Sequence, residues 1–324
     1  MKLTGDYHIH SRNCRFRISK STIEEIARAA NAQGLEEIAI TDHGYSHFFA
    51  ADKKTLLASR DKINEINMSL GTNVLLGVEA DILSEDGTLD VDDETLAAID
   101  LLIIGYHKMI KTDFASYFGK QENTHEAVMA ATDAYVNAIK RYNVDIVAHP
   151  GAGFKGDLFR LGKVCADYDV LVELNNRHVD FSDEEMSDLL RSGCHFVVSS
   201  DAYGAKAVGK VDNVFKLIQK YDIPQDRIIN VEFEHGFKSQ IDYEIEQDRV
   251  RLAEHLKNKK KSQFEDTLSP EISAKLREIA KEKGLDLESD FDAASIDYKA
   301  LLSDEERAVV ERAEEYLKKR NLLK

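Results

Sequence analysis

The stretch Asp6-Tyr7-His8-Ile9-His10 reads as an extended strand whose alternate side chains project to one side, so both imidazoles can converge on one cation. Taken alone, the His-x-His pair is equally a solvated strand face. The spacing of later residues decides between the two readings. Through the first two thirds of the chain, short apolar runs recur, and each stops on a residue with metal-binding chemistry. Glu36 to Thr41 stops on Asp42-His43, Val74 to Val78 on Glu79, and Leu101 to Tyr106 on His107. Val144 to Ala148 stops on His149-Pro150-Gly151, and Phe196 to Ser200 on Asp201. A closed barrel of parallel strands explains this spacing, because the carboxyl ends of its strands meet at one face, where catalytic groups gather.

Helix signals lie between the runs. Ser21-Thr22-Ile23-Glu24 is a capping box opening a helix over Ile26 to Ala32 that Gly34 stops, and Ser182-Asp183-Glu184-Glu185 opens another. Further helices are predicted over residues 53–70, 122–140, 157–167 and 211–220, with a strand over Val170 to Leu174. Alternating strands and helices of this kind predict an α/β fold, a distorted TIM-like barrel with about seven strands before residue 232.

The motifs His8-Ile9-His10, Thr41-Asp42-His43-Gly44, Gly77-Val78-Glu79-Ala80, Gly105-Tyr106-His107, Ala148-His149-Pro150-Gly151, Glu173-Leu174-Asn175-Asn176 and Ser199-Ser200-Asp201 resemble, in this order, those of the PHP superfamily (polymerase and histidinol phosphatase). The resemblance is to its stand-alone bacterial phosphoesterases and spans most of residues 1–235. It implies a distorted (β/α)7 barrel that binds two or three divalent metals. It further implies that His8, His10, Glu79 and Asp201 hold one metal, and that Glu79, His107 and His149 hold its neighbour, with Glu79 bridging. Imidazole and carboxylate together suit zinc, manganese or iron and disfavour magnesium and calcium. The third metal of trinuclear relatives takes three histidines, of which only His43 stands here; the other positions fall near Phe16, beside Cys14 and Arg15, and at Tyr203. A dinuclear centre is therefore expected, with His43 free for proton transfer or substrate contact, and with His47 and His178 as possible substitute ligands.

Two divalent cations a few ångströms apart would acidify a water and clamp phosphoryl oxygens, so the expected reaction is hydrolysis of a small phosphomonoester by metal-bound hydroxide, with His43 and Asp201 as the catalytic pair. Arg12, Arg15 and Arg17 crowd the loop after His10 against a chain-wide balance of 43 basic and 59 acidic residues, net charge −16. Guanidinium forks suit phosphate, which makes Arg15 and Arg17 candidate substrate ligands; the alternative is a solvated loop. Lys108, Arg177 and Lys206 are weaker candidates from other loops. One of Asn175 and Asn176 is expected to face the site, unless the pair merely forms a turn. Other readings are an amidohydrolase, disfavoured by Glu79 and Asp42-His43, a nuclease or nucleotide phosphoesterase, and a metal-binding regulatory module without activity.

Acidic balance disfavours a duplex nucleic acid partner. Three cysteines cannot all pair, no apolar run approaches a membrane span, and the start shows no signal peptide, so the cytoplasm is expected. The expected barrel domain covers residues 1–238 and a charged helical extension residues 239–324. Of its last 85 residues, 21 are acidic and 17 basic, which predicts helices near residues 249–260, 273–283 and 303–319. Such an extension would pack beside the barrel or form a homo-oligomer contact, or else remain a mobile tail.

Overall fold

A computed structural model describes residues 1–15, 18–107, 110, 124–152 and 154–233. Phe16, Arg17, Lys108, the boundary at residue 238 and the three C-terminal helices lie outside the described residues. In chain order the elements are β1 (Lys2–Leu3), β2 (Gly5–His10), α1 (Ile23–Ala32), β3 (Glu37–Ile40), α2 (Lys53–Asn67), β4 (Asn73–Asp81), α3 (Asp93–Ala98), β5 (Leu101–Gly105) and α4 (His125–Arg141). They continue with β6 (Ile146–Val147), α5 (Leu158–Asp167), β7 (Leu171–Asn175), α6 (Asp183–Ser192), β8 (Phe196–Ser199), β9 (Ala202–Tyr203), α7 (Asp212–Tyr221) and β10 (Val231–Glu232).

One sheet runs β8-β7-β6-β5-β4-β3-β2-β9, every neighbouring pair parallel. Strands β8 and β9 are one strand interrupted by Ser200-Asp201, and they occupy opposite ends of that order. The sheet therefore curls onto itself as the TIM-like barrel of seven strands that the sequence predicts. Asp6 of β2 fastens the seam: its carboxylate accepts from Ser200 N (3.0 Å), Ser200 Oγ (2.5 Å) and Gly209 N (2.9 Å). Lys2–Leu3 and Val231–Glu232 form a separate antiparallel pair.

Alternation along the strands makes two cores. Ile38, Ile40, Leu76, Val78, Leu102 and Ile104 face outward against Ile26, Ile63 and Leu161 of the helices. Ala39, Leu101, Ile103, Ile146, Ala148 and Val197 fill the barrel interior with Tyr7, Leu75 and Leu171. Burying each large aliphatic side chain contributes about 1.5–3 kcal/mol.

Helix signals locate the helices, with local corrections. The N-cap of α1 is Thr22, not Ser21, and its capping-box partner is Glu25; the Ser21 hydroxyl instead accepts from Ala205 N at 3.0 Å. Ser182 and Glu185 form the box of α6 as expected. Six-residue α3, capped by Asp92, is too short to show helical periodicity and escapes the sequence reading. All three cysteines are free and buried, and among the described residues no helix is long and apolar enough to cross a membrane.

Candidate metal centre

The same alternation that fills the interior delivers the site. On β4, Leu75 lies in the inner core, and Glu79 and Asp81 share its face further along. On β5, Leu101 and Ile103 lead to Gly105 and His107; on β7, Leu171 leads to Glu173 and Asn175. Two positions break the pattern. Tyr7 touches the inner core, yet His8 and His10 face the site, because the pairing of β2 with β3 shifts register between Asp6 and Ile9 and resets the alternation. Ala148 faces inward, so His149 should face the helices; a left-handed backbone, φ 26°, turns it in. Asp201 adopts φ 51°. Such conformations cost about 1–3 kcal/mol each and cluster at functional sites.

Glu79 is the hub. Its Oε2 lies 3.3 Å from His8 Nε2, 3.6 Å from His10 Nε2 and 2.8 Å from His43 Nδ1. Its Oε1 lies 3.0 Å from His149 Nε2 and 3.4 Å from His107 Nε2. His10 Nε2 is also 3.5 Å from Asp201 Oδ1. Among the described residues, His8 Nε2, His10 Nε2, His43 Nδ1, Glu79 Oε2 and Asp201 Oδ1 are buried without a hydrogen-bond partner. Short approach without hydrogen-bond geometry is what lone pairs aimed at a shared cation produce, and five orphaned buried atoms in one place need such a partner.

Two carboxylates behind the imidazoles fix their tautomers. His8 Nδ1 donates to Glu173 Oε1 and His107 Nδ1 to Asp81 Oδ1, both at 2.8 Å, which leaves each Nε2 a lone pair facing Glu79. Glu173 Oε2 further accepts from His149 N (2.7 Å) and Asn175 Nδ2 (3.0 Å), so this buried acid orients three groups at once. Glu173→Gln keeps its volume but turns an amide donor toward a donor. We expect it to weaken cation binding roughly 10- to 100-fold in a chelator competition, and unchanged affinity would refute its role.

Electrostatics favour added positive charge. Burial opposes ionisation throughout, yet His8, His107 and His43 hold the Glu79 carboxyl well below its usual range, and His8 and His10 do the same for Asp201. Against burial, Glu79, Glu173 and Asp201 hold His8 well above its usual range, and Glu79 and Asp81 lift His107 to about 9. Burial and His10 push His43 well down; burial and His107 push His47 down to about 4. The carboxylates raise the proton affinity of His8 and His107, and a divalent cation bound between them would take the place of that proton charge. Among the described residues five groups have donor atoms close enough to share a cation: His8/His10/Asp201, Glu79/His107/His149, His10/His43/Glu79, His43/His47/His107 and His10/Cys14/Asp42. The imidazole and carboxylate among them fit a borderline metal such as zinc, manganese or iron.

All six residues named as metal ligands from sequence converge here. Asp42 does not join them: its carboxylate accepts from Ser11 N and Ser11 Oγ, both at 2.6 Å, and from Cys14 Sγ, pinning the loop after β2. His43 Nε2 lies 3.2 Å from the Tyr203 hydroxyl, whose ring stacks on His10. Of the asparagines, Asn175 faces the site, 3.3 Å from Asp201 Oδ2. Asn176 lines the cavity above the centre, and its Oδ1 accepts from Asn213 N at the start of α7, a helix without a side-chain cap of its own. A cavity of about 730 Å³ opens over the centre, lined by His43, His47, Phe49, Tyr203, Arg177 and Lys210 among others. Arg15 and Lys206 do not line it, and Arg12 lines a separate surface cavity with Lys54 and Lys62. Arg177 stacks over the Tyr203 ring at 4.6 Å and approaches Asp201 to 3.8 Å; His178 reaches 3.9 Å from the same carboxylate. Sequence reasoning assigned no role to Asp81, Glu173 or Lys210. For the two acids the signal was present: each lies two residues along its strand from another site residue, Glu79 or Asn175.

Comparison with known proteins finds relatives of this chain. A "probable phosphatase" of Acetivibrio thermocellus is 30% identical over 243 residues, 72% of this chain and 93% of the relative. Another, of Shewanella loihica, is 29% identical over 246 residues, 71% of this chain and 90% of the relative. The crystal structure of a histidinol phosphate phosphatase from Lactococcus lactis, complexed with zinc, L-histidinol and phosphate, aligns over 68% of this chain and 94% of its own at 18% identity, TM-score 0.47. The family model described as PHP domain matches residues 6–322, and the chain belongs to the PHP domain family.

Proposed function

We propose that this protein hydrolyses phosphate esters, with a small phosphomonoester as substrate, at a centre of two divalent cations. The observation that carries the reading is the division of Glu79: Oε2 faces His8 and His10, beside Asp201, while Oε1 faces His107 and His149. One carboxylate with each oxygen turned to its own ligand set is the arrangement of a bridge between two metals. When bound, such a pair supplies the charge that acidifies a water nucleophile and stabilises phosphoryl oxygens. The chain's own groups do the rest. Arg177 and Lys210 bring cationic donors to the cavity for non-bridging oxygens. His43 is held between Glu79 and Tyr203, a position for passing a proton at Nε2. Tyr203, standing where trinuclear relatives place a histidine, bonds His43 through its hydroxyl, which favours two ions over three. The relatives described as probable phosphatases support the reaction class.

The test is phosphate release from a panel of phosphomonoesters by protein loaded separately with zinc, manganese and iron, beside Asp201→Asn and His149→Ala. Activity is expected with at least one metal and is expected to fall at least roughly 100-fold in both variants. Wild-type activity in the variants would misplace the site; silence with every metal and ester would favour a regulatory module.

A further inference from the structure

His47 sits in the tight turn after Gly44, where its N–H donates to Gly44 O (3.2 Å) and its carbonyl accepts from Ala50 N (3.0 Å). Its ring stacks on His43 with centroids 3.7 Å apart and meets the His107 ring edge-on at 4.7 Å. Ring nitrogens of all three lie within 4.8 Å of one another. Proximity alone would make His47 a further cation ligand, but two features oppose that. Imidazole lone pairs lie in the ring plane, so two rings stacked face to face do not aim at one point. Moreover, Phe49 N donates to His47 Nδ1 at 3.3 Å, so in the neutral ring Nδ1 holds the lone pair and Nε2 holds the proton. This is the reverse of His8 and His107, whose Nδ1 atoms donate to carboxylates. A protonated nitrogen donates; it does not ligate. The ring lines the cavity with Arg177 and Lys210, and among the described residues no hydrogen-bond partner takes its Nε2.

We infer that His47 is an oxyanion-binding residue, its Nε2–H donating to a phosphoryl oxygen of the substrate. The inference rests on the phosphoesterase reading and adds a neutral donor to the two cations of the cavity wall. It explains why a histidine crowds the metal ligands without joining them.

The experiment is calorimetric titration of inorganic phosphate into metal-loaded wild type, His47→Ala and His47→Gln, with metal content measured on the same samples and hydrolysis of one phosphomonoester assayed beside it. Both variants are expected to keep wild-type metal content. His47→Ala is expected to bind phosphate roughly 10- to 100-fold more weakly, the range for a hydrogen bond to a charged group. His47→Gln, which carries an N–H near the same point, is expected to recover most of that loss, and kcat/KM to move in step. Unchanged phosphate affinity in His47→Ala would overturn the inference, and so would equal metal loss in both variants, which would make His47 a ligand. A wild-type protein that binds phosphate yet hydrolyses nothing would sink the phosphoesterase reading while the comparison of affinities still decides the role of His47.

Discussion

Glu79→Gln is expected to abolish turnover, by roughly a thousandfold or more, and to empty the centre of metal. Among the described residues no other side chain touches so many candidate ligands: five imidazoles lie within 3.6 Å of its two oxygens. The amide preserves shape but removes the buried charge that gathers them, and it can present only one oxygen where two are used. Loss of any peripheral imidazole leaves the other ligand set intact; loss of Glu79 disables both. Phosphate release and elemental analysis of the variant provide the check. Activity within about tenfold of wild type would mean that the carboxylate does not bridge.

Asp6→Ala is expected to cost about 3–5 kcal/mol of stability, roughly 10 °C in Tm, measured on metal-free protein so that ligand binding does not mask the change. Asp6 is fully buried and Ser200 nearly so, so the Ser200 N and Oγ donors lose their buried acceptor once it is gone, and the part-buried Gly209 N loses its bond as well. These bonds hold the break between β8 and β9 where the barrel closes, and Asp201 follows immediately. The substitution should therefore also weaken cation binding, although Asp6 touches no ion. A Tm within about 2 °C of wild type would show that the seam is held elsewhere.

The barrel and the convergence of the candidate ligands were legible because each apolar run stops where the strand reaches the rim, and the polar residue there has no core to fill. Glu79 stood out in the sequence and Asp81 did not: β4 continues through Asp81, and an acid inside a strand resembles a solvated face until the strand is known to be buried on both sides. His149 joins the other candidate ligands although strict alternation would point it away, and nothing in Ala148-His149-Pro150 announces the positive φ that turns it in. The register shift in β2 left no mark either, because His8 and His10 alternate as an ordinary strand would and only the pairing with β3 and the inward Tyr7 reveal the irregularity. Cations were the least legible feature. Arg12 and Arg15 stand beside His10 in sequence, whereas Arg177 and Lys210 reach the cavity from beyond β7 and from the segment before α7. Loop paths decide such contacts, and no periodicity encodes them.

The interrupted strand that closes the barrel also sets a schedule for biosynthesis. Its residues leave the ribosome about two hundred positions after the first histidines, so a nascent chain lacks both Asp201 and the clamp on Asp6 until the whole cage has been translated. Closing so long a loop is entropically slow, and until then an ion would meet only loosely arranged imidazoles. A cation would therefore meet the complete set of candidate ligands only after Asp201 and Gly209 have been translated.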